Sequence, residues 1–231
     1  MNIDVKKSSE DWLLQHSFFR DLVHRFPAVS SYFEFDPRSP GSAVIRKNQI
    51  KQQPGAPKNI ISEEVVRQNT EWGAQSEGLR SARSLRDDET VVVMCQLRPR
   101  ILGGPGHNLS KILSVLEYAR RLKDILDVPV VPLAWVITDH NWGIMSQVDV
   151  VAHDNTVRTV KLNTALDGCP SADQISIHPG VSLMLGEFAE LMRIKGEDNP
   201  VWEMLQTTAE ESESLTGWFC RFISSLSELR E

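Results

Sequence analysis

A chain of 231 residues with 41% hydrophobic residues has enough apolar content for a globular core, which excludes disorder throughout. Its formal net charge of −6 and pI near 5.6 argue against a dedicated nucleic-acid surface and towards small molecules or other proteins as partners. Cys95, Cys169 and Cys220 are widely separated and form no metal-binding spacing, so reduced thiols in a cytoplasmic protein, with no metal and no cofactor, are expected. The opening MNIDVKKSSEDW lacks the apolar stretch of a signal peptide, and no segment approaches the roughly 20 apolar residues that span a bilayer, so neither secretion nor membrane embedding is expected.

In chain order, Ser9 to Phe26 carries apolar residues at helical spacing, with Ser8 or Ser9 as cap. From Pro27 to Pro57 prolines and glycines predict a long loop or arm, and Ser62 followed by Glu63 and Glu64 predicts a helix start. Thr90–Gln96, with its run Val91-Val92-Val93, reads as a strand buried on both faces. Asn108–Asp127 reads as an amphipathic helix and Val128–Ile137 as a second buried strand, so the three form a βαβ unit with parallel strands. Alternating residues around Asp154-Asn155 predict a hairpin over Gln147–Asn163. Gln174–Ile177 reads as a short strand, Pro179 opens a helix to about Ile194, and Asn199-Pro200 opens a last helix to Leu229. The organisation expected is an N-terminal region of helices and proline-rich arm packing on the core (1–86), an α/β core with the hairpin (87–195), and a C-terminal helix offering a possible interface (196–231).

Ligands of parallel sheets bind at the carboxyl ends of the strands, and two segments fall there. In the first, Gly103, Gly104 and Gly106 let the backbone approach a ligand, and the helix N-terminus at Asn108 presents free N–H groups to an anion. Gln96, Arg98 and Arg100 flank this loop as substrate-binding candidates, the two arginines as charge-assisted donors. The bland alternative is a tight turn with Asn108 as helix cap. In the second, Asp139 and His140 end the next strand; a carboxylate beside an imidazole can orient it or hold a nucleophile while His140 acts as base. Trp142 is placed against an apolar part of the substrate, Trp135 in the core, and Cys95 as a buried structural thiol.

Met94-Cys95-Gln96-Leu97, then Gly104-Pro105 opening a helix, then Val128-Pro129-Val130-Val131-Pro132-Leu133-Ala134-Trp135, then Thr138-Asp139-His140-Asn141 follow the order TGQQ, GLFxGPLYT, VPVVPVFW, EDHD of bacillithiol synthases. Most of the chain resembles the first half of that cysteine-adding family. The resemblance implies an α/β fold: a Rossmann-like parallel-sheet core, nucleotidyltransferase-like, with an added β-hairpin and flanking helices. It also implies an activity that joins cysteine to a glucosamine-malate. Gly104-Pro105-Gly106-His107 keeps the second histidine of the HxGH motif of the wider superfamily, which makes His107 a candidate donor to a leaving-group oxyanion. Only Gln96 remains of TGQQ, and EDHD is here Thr138-Asp139-His140-Asn141.

Two functional expectations result. One is an enzyme subunit forming a bond at carbon with a thiol or amine nucleophile, on a small molecule with an anionic group, completed by a second protein subunit. Its setting would be natural-product biosynthesis, and its size resembles one chain of the two-chain enzymes that close aziridine rings by amine displacement of sulfate. The other is a non-catalytic binding or regulatory module on the same core.

Overall fold

A computed structural model describes residues 15–36, 38–52, 55–139, 142–164, 171–194 and 199–228. The chain divides into two compact units: one comprises Met1–Gly55 with Asp124–Asp127, the other Ala56–Lys123 with Val128–Glu231.

In the first unit, α1 (Ser17–His24) leads into two single 3-10 turns, Phe26–Ala28 and Ser30–Tyr32, and then α2 (Pro40–Lys51). Neither helix buries a residue; aromatic rings link the segment instead, with Phe18 against Tyr32 and Phe33 at 5.7 and 6.2 Å and Arg38 over Phe26 at 5.5 Å. The candidate caps Ser8 and Ser9 lie outside the described residues. The loop expected from Pro27 to Pro57 contains α2, because Pro40 occupies its first helical position, where a fixed φ and missing N–H cost nothing.

The second unit begins with α3 (Lys58–Glu71) and α4 (Ser76–Ser84). Ser62 does not cap a helix: it sits one turn inside α3, buried, and donates to the Ala82 carbonyl at 2.9 Å. Gly73, at φ +75°, separates the two helices that the sequence presents as one. Strand β1 (Val91–Leu97), helix α5 (Gly106–Leu126) and strand β2 (Val130–Val136) form the βαβ unit, and the strands pair in parallel from Val91↔Val130 to Leu97↔Val136. A four-residue helix α6 (Trp142–Met145) precedes the antiparallel hairpin β3 (Gln147–Val151) and β4 (Val157–Lys161). Asn155 turns the hairpin at φ +62°, and hydrogen bonds from Thr156 hold the Asp154 carboxyl below the usual carboxylate range.

Helices α7 (Gly180–Met192), α8 (Pro200–Glu210) and α9 (Leu215–Glu228) complete the described chain. Asn199 caps α8 by accepting from the Trp202 N–H at 3.1 Å, as its position before Pro200 predicts. The last helix is broken in two, however, at Glu211–Ser214. There Leu215 N donates to Ile175 O and Ile177 N to Glu213 O, so tertiary hydrogen bonds replace helical ones. The same contacts reduce the strand expected at Gln174–Ile177 to a single bridge, Ser176 with Ser214.

The main core gathers Ile101, Met145, Val160, Ile175, Ile177, Met184, Trp202, Leu215 and Trp218, and Val148 and Val150 pack on it from the hairpin. A second cluster joins Leu97 to Phe219 and Cys220. Trp202, Leu205, Trp218, Phe219 and Phe222, the face the sequence offers to a partner, are buried inside this chain. The sheet is covered less fully than expected. Val91, Val93, Cys95 and Leu97 point to the covered side, whereas Val92, Met94 and Gln96 are exposed, and Trp135 beside Gln96 is 57% exposed rather than in the core. An apolar run cannot distinguish a strand covered on one face from one covered on both.

Candidate functional site

The segment after β1 alternates anchors with open positions. Leu97, Pro99 and Ile101 are buried, Arg98 is exposed and Arg100 half-buried. Leu102, Gly103 and Gly104 then take φ values of +56°, +74° and +77° in succession. Room for a side chain is lacking at the two glycines of this turn. A Cβ at Gly103 would lie 2.5 Å from the Phe222 ring, and one at Gly104 would lie 2.8 Å from the Asn108 amide nitrogen and 3.3 Å from Arg100 Cβ. Glycine is required at both by conformation and by space together.

Asn108, 1% exposed in the first turn of α5, donates through Nδ2 to the Arg98 carbonyl at 3.1 Å and ties the loop to the helix. Its Oδ1 is buried and accepts no hydrogen bond among the described residues. Gly106 and His107 lie at the start of α5, Gly106 and His107 both exposed, and Gln96 is exposed while its carbonyl accepts from Lys111 Nζ at 3.0 Å. Burial pushes the Cys95 thiol up, and Lys111 offsets this in part, consistent with a structural thiol.

The other half of the constellation continues β2. Ile137 N donates to Leu97 O at 2.9 Å, which extends the sheet by one residue, and Ala172 N donates to Thr138 O at 2.8 Å. Asp139 follows, exposed, one strand away from the loop after β1. Asp139 and the Gln96–Asn108 segment therefore lie at the carboxyl ends of adjacent parallel strands. His140 lies outside the described residues, as does the side chain of Trp142, whose backbone opens α6.

Arg100 departs from the rest of the set. With Ile144, Gln147, Val148 and Asp149 it lines a cleft of about 240 Å³ between the loop and the hairpin's first strand. No sequence motif singles out Gln147 and Asp149, although the alternation that marks the hairpin already places them on its outward face. Among the described residues no group of three or more His, Cys, Asp or Glu side chains can hold a metal ion, and no helix is long and apolar enough to cross a membrane.

Comparison with known proteins adds the family context. Residues 1–228 match the family model "Bacillithiol biosynthesis BshC, N-terminal Rossmann-like domain". Three curated relatives carry the name "Putative cysteine ligase BshC". That of Oceanobacillus iheyensis is 27% identical over 70% of this chain and 31% of its own length. That of Symbiobacterium thermophilum is 33% identical over 57% and 24%. That of Salinibacter ruber is 22% identical over 91% and 38%. The chain thus spans between about a quarter and two fifths of these relatives. The parallel pair, crossover helix and added hairpin fit the Rossmann-like description.

Proposed function

The chain belongs to the BshC family through its N-terminal Rossmann-like domain, and from that premise we propose that it is part of an enzyme that joins a thiol or amine nucleophile to a carbon centre. The carrying observation is the exposed carboxylate of Asp139 at the end of β2, next to a glycine-walled turn at the end of β1. Asp139 holds the ammonium or thiol and His140 takes its proton as the bond to carbon forms. His107 and the backbone from Gly103 to Asn108 face the leaving group, whose departing electron pair they stabilise by hydrogen bonding. Gln96 and Arg98 bind the anionic part of the substrate, and Trp142 its apolar part. No metal and no cofactor enters the scheme.

A second subunit is part of the proposal. Val92, Met94 and Trp135 leave an apolar sheet face exposed, and among the described residues no further strand pairs with either edge of the parallel pair; such surfaces are normally covered. Cys95 and Cys220 carry free thiols, which suits the cytoplasm, and Cys169 lies outside the described residues. Within this scheme the finer assignment is a natural-product pathway in which an amine displaces sulfate within one molecule: the C–N bond forms as the C–O bond breaks, sulfate leaves with the electron pair, and the amine proton passes to His140.

Purified chain, alone and co-purified with the product of its neighbouring gene, is to be incubated with L-cysteine plus glucosamine-malate and, separately, with a vicinal amino sulfate ester. Mass spectrometry is then read for the joined product or for free sulfate and aziridine. Either product, lost in Asp139→Asn, supports the reading. Neither product from either preparation rejects it in favour of the non-catalytic binding module, which the altered TGQQ and EDHD segments already favour to that extent.

A further inference from the structure

We propose that the open edge of β3 docks an extended, acidic segment of a protein partner, which adds to the hairpin as a third strand and sets a carboxylate on Arg100. Ala152 N donates to Thr156 O at the turn of the hairpin and Leu162 N to Ser146 O at its base, at 2.9 and 2.8 Å. With the register running from Gln147↔Lys161 to Val151↔Val157, these two bonds fix Val148 and Val150 as the β3 residues whose main chain bonds to β4. The N–H and C=O groups of Gln147, Asp149 and Val151 therefore face away from β4, and none of them has a backbone partner among the described residues. The cleft beside the loop after β1 runs along that edge. Gln147, Val148 and Asp149 line it together. Successive side chains of a strand point to opposite faces, so a hollow bordered by three in a row lies along the strand's margin rather than over one face. The margin towards β4 is closed by pairing, which leaves the open one.

This edge lacks the devices that keep strands from pairing. β3 contains no proline and no lysine and its register is unbroken by a bulge, whereas β4 carries Arg158 and Lys161. Across the cleft stand Ile144 and Arg100. Arg100 is half-buried, and its guanidinium has no hydrogen-bond or ion-pair partner among the described residues. The carboxyl of Asp149, in contrast, accepts from Thr159 Oγ1 of β4 at 2.7 Å. The charge left unmatched at the cleft is thus positive, and it selects an acidic side chain in the added strand. Main-chain pairing supplies affinity in strand addition and side-chain contacts supply selection, here through Arg100, with Ile144 offering apolar contact. The surface is separate from the exposed face of β1 and β2, and docking there holds whether or not the bond-forming reading does.

The full chain, labelled with nitrogen-15, is titrated with capped pentapeptides of threonine and valine that carry one glutamate at the second, third or fourth place, and amide hydrogen exchange is followed residue by residue. At least one of the three is expected to slow exchange at Gln147 and Asp149 by about tenfold or more at saturation, while Val148 and Val150, already paired to β4, change little. Lysine in place of the glutamate weakens binding by about tenfold, as loss of a charge-assisted contact requires, and Arg100→Gln removes that difference. Methylating the backbone nitrogens of the peptide, which removes its donors and keeps its side chains, abolishes the slowing. No saturable slowing with any of the three peptides, equal binding of the glutamate and lysine forms, or slowing that survives methylation overturns the proposal. Slowing of the same amides by raised protein concentration alone would assign the edge to a second copy of the chain and overturn it as well. The wild-type titrations decide the outcome even if Arg100→Gln fails to fold.

Discussion

Two tryptophans of the second unit mark opposite conditions within one fold. Trp218 is 1% exposed, donates from its indole nitrogen to the Leu205 carbonyl at 3.2 Å and sits in the main core. Trp135 is 57% exposed on the open face of the parallel sheet. The hairpin and α7 to α9 thus supply a closed core, whereas the βαβ pair that carries the candidate site is covered on one side. Stability is concentrated away from the strands whose ends bear the chemistry.

Truncation of each tryptophan tests this contrast most directly. Trp218→Ala is expected to cost about 3–5 kcal/mol in urea unfolding, through lost burial and the cavity left in the main core. Next in size, Gly103→Ala forces a left-handed alanine against the Phe222 ring and is expected to lower stability by roughly 1–3 kcal/mol, read from the same transition. Asn199→Ala removes the cap of α8 and should cost about 1 kcal/mol. Trp135→Ser should change stability by no more than about 0.5 kcal/mol and should raise solubility on concentration; a loss as large as that of Trp218→Ala would show the sheet face to be covered.

A pH series refines the same comparison from the covered side of the sheet. Burial, helped by the Glu71 carboxylate, pushes the Cys220 thiol up to about 12 from 9.0. The unfolded chain then releases this proton first, so between pH 9 and 12 the folded state binds more protons and stability falls as pH rises. Below pH 9 the contribution is fully present. Cys220→Ala should flatten that slope in thermal melts, and an unchanged slope would assign the alkaline loss to other groups.

What the sequence discloses follows the same division. The βαβ unit and the hairpin are legible because their periods differ, about 3.6 in α5 and about 2 in β3 and β4, and because Asn155 suits a left-handed turn. The placement of Asp139 beside the loop after β1 follows from parallel pairing alone. Other features depend on contacts between distant segments. The break at Glu211–Ser214 has neither glycine nor proline and is held by Ile175 and Ile177, far off in sequence. The exposed face of β1 has the composition of a covered one. Arg100 shares a cleft with Asp149 of the hairpin, a neighbour far off in sequence that no local pattern supplies. His140 lies outside the described residues, and its role as base stands as a proposal.

The close approach of Gly103 to Phe222 couples two positions 119 residues apart in the chain. Under mutational drift they cannot wander independently: a side chain gained at 103 demands a smaller ring or none at 222, whereas Phe222 can shrink first without penalty at 103. The order of such changes along any lineage is therefore directional, and the C-terminal helix leaves its imprint on which turns the ligand loop can evolve.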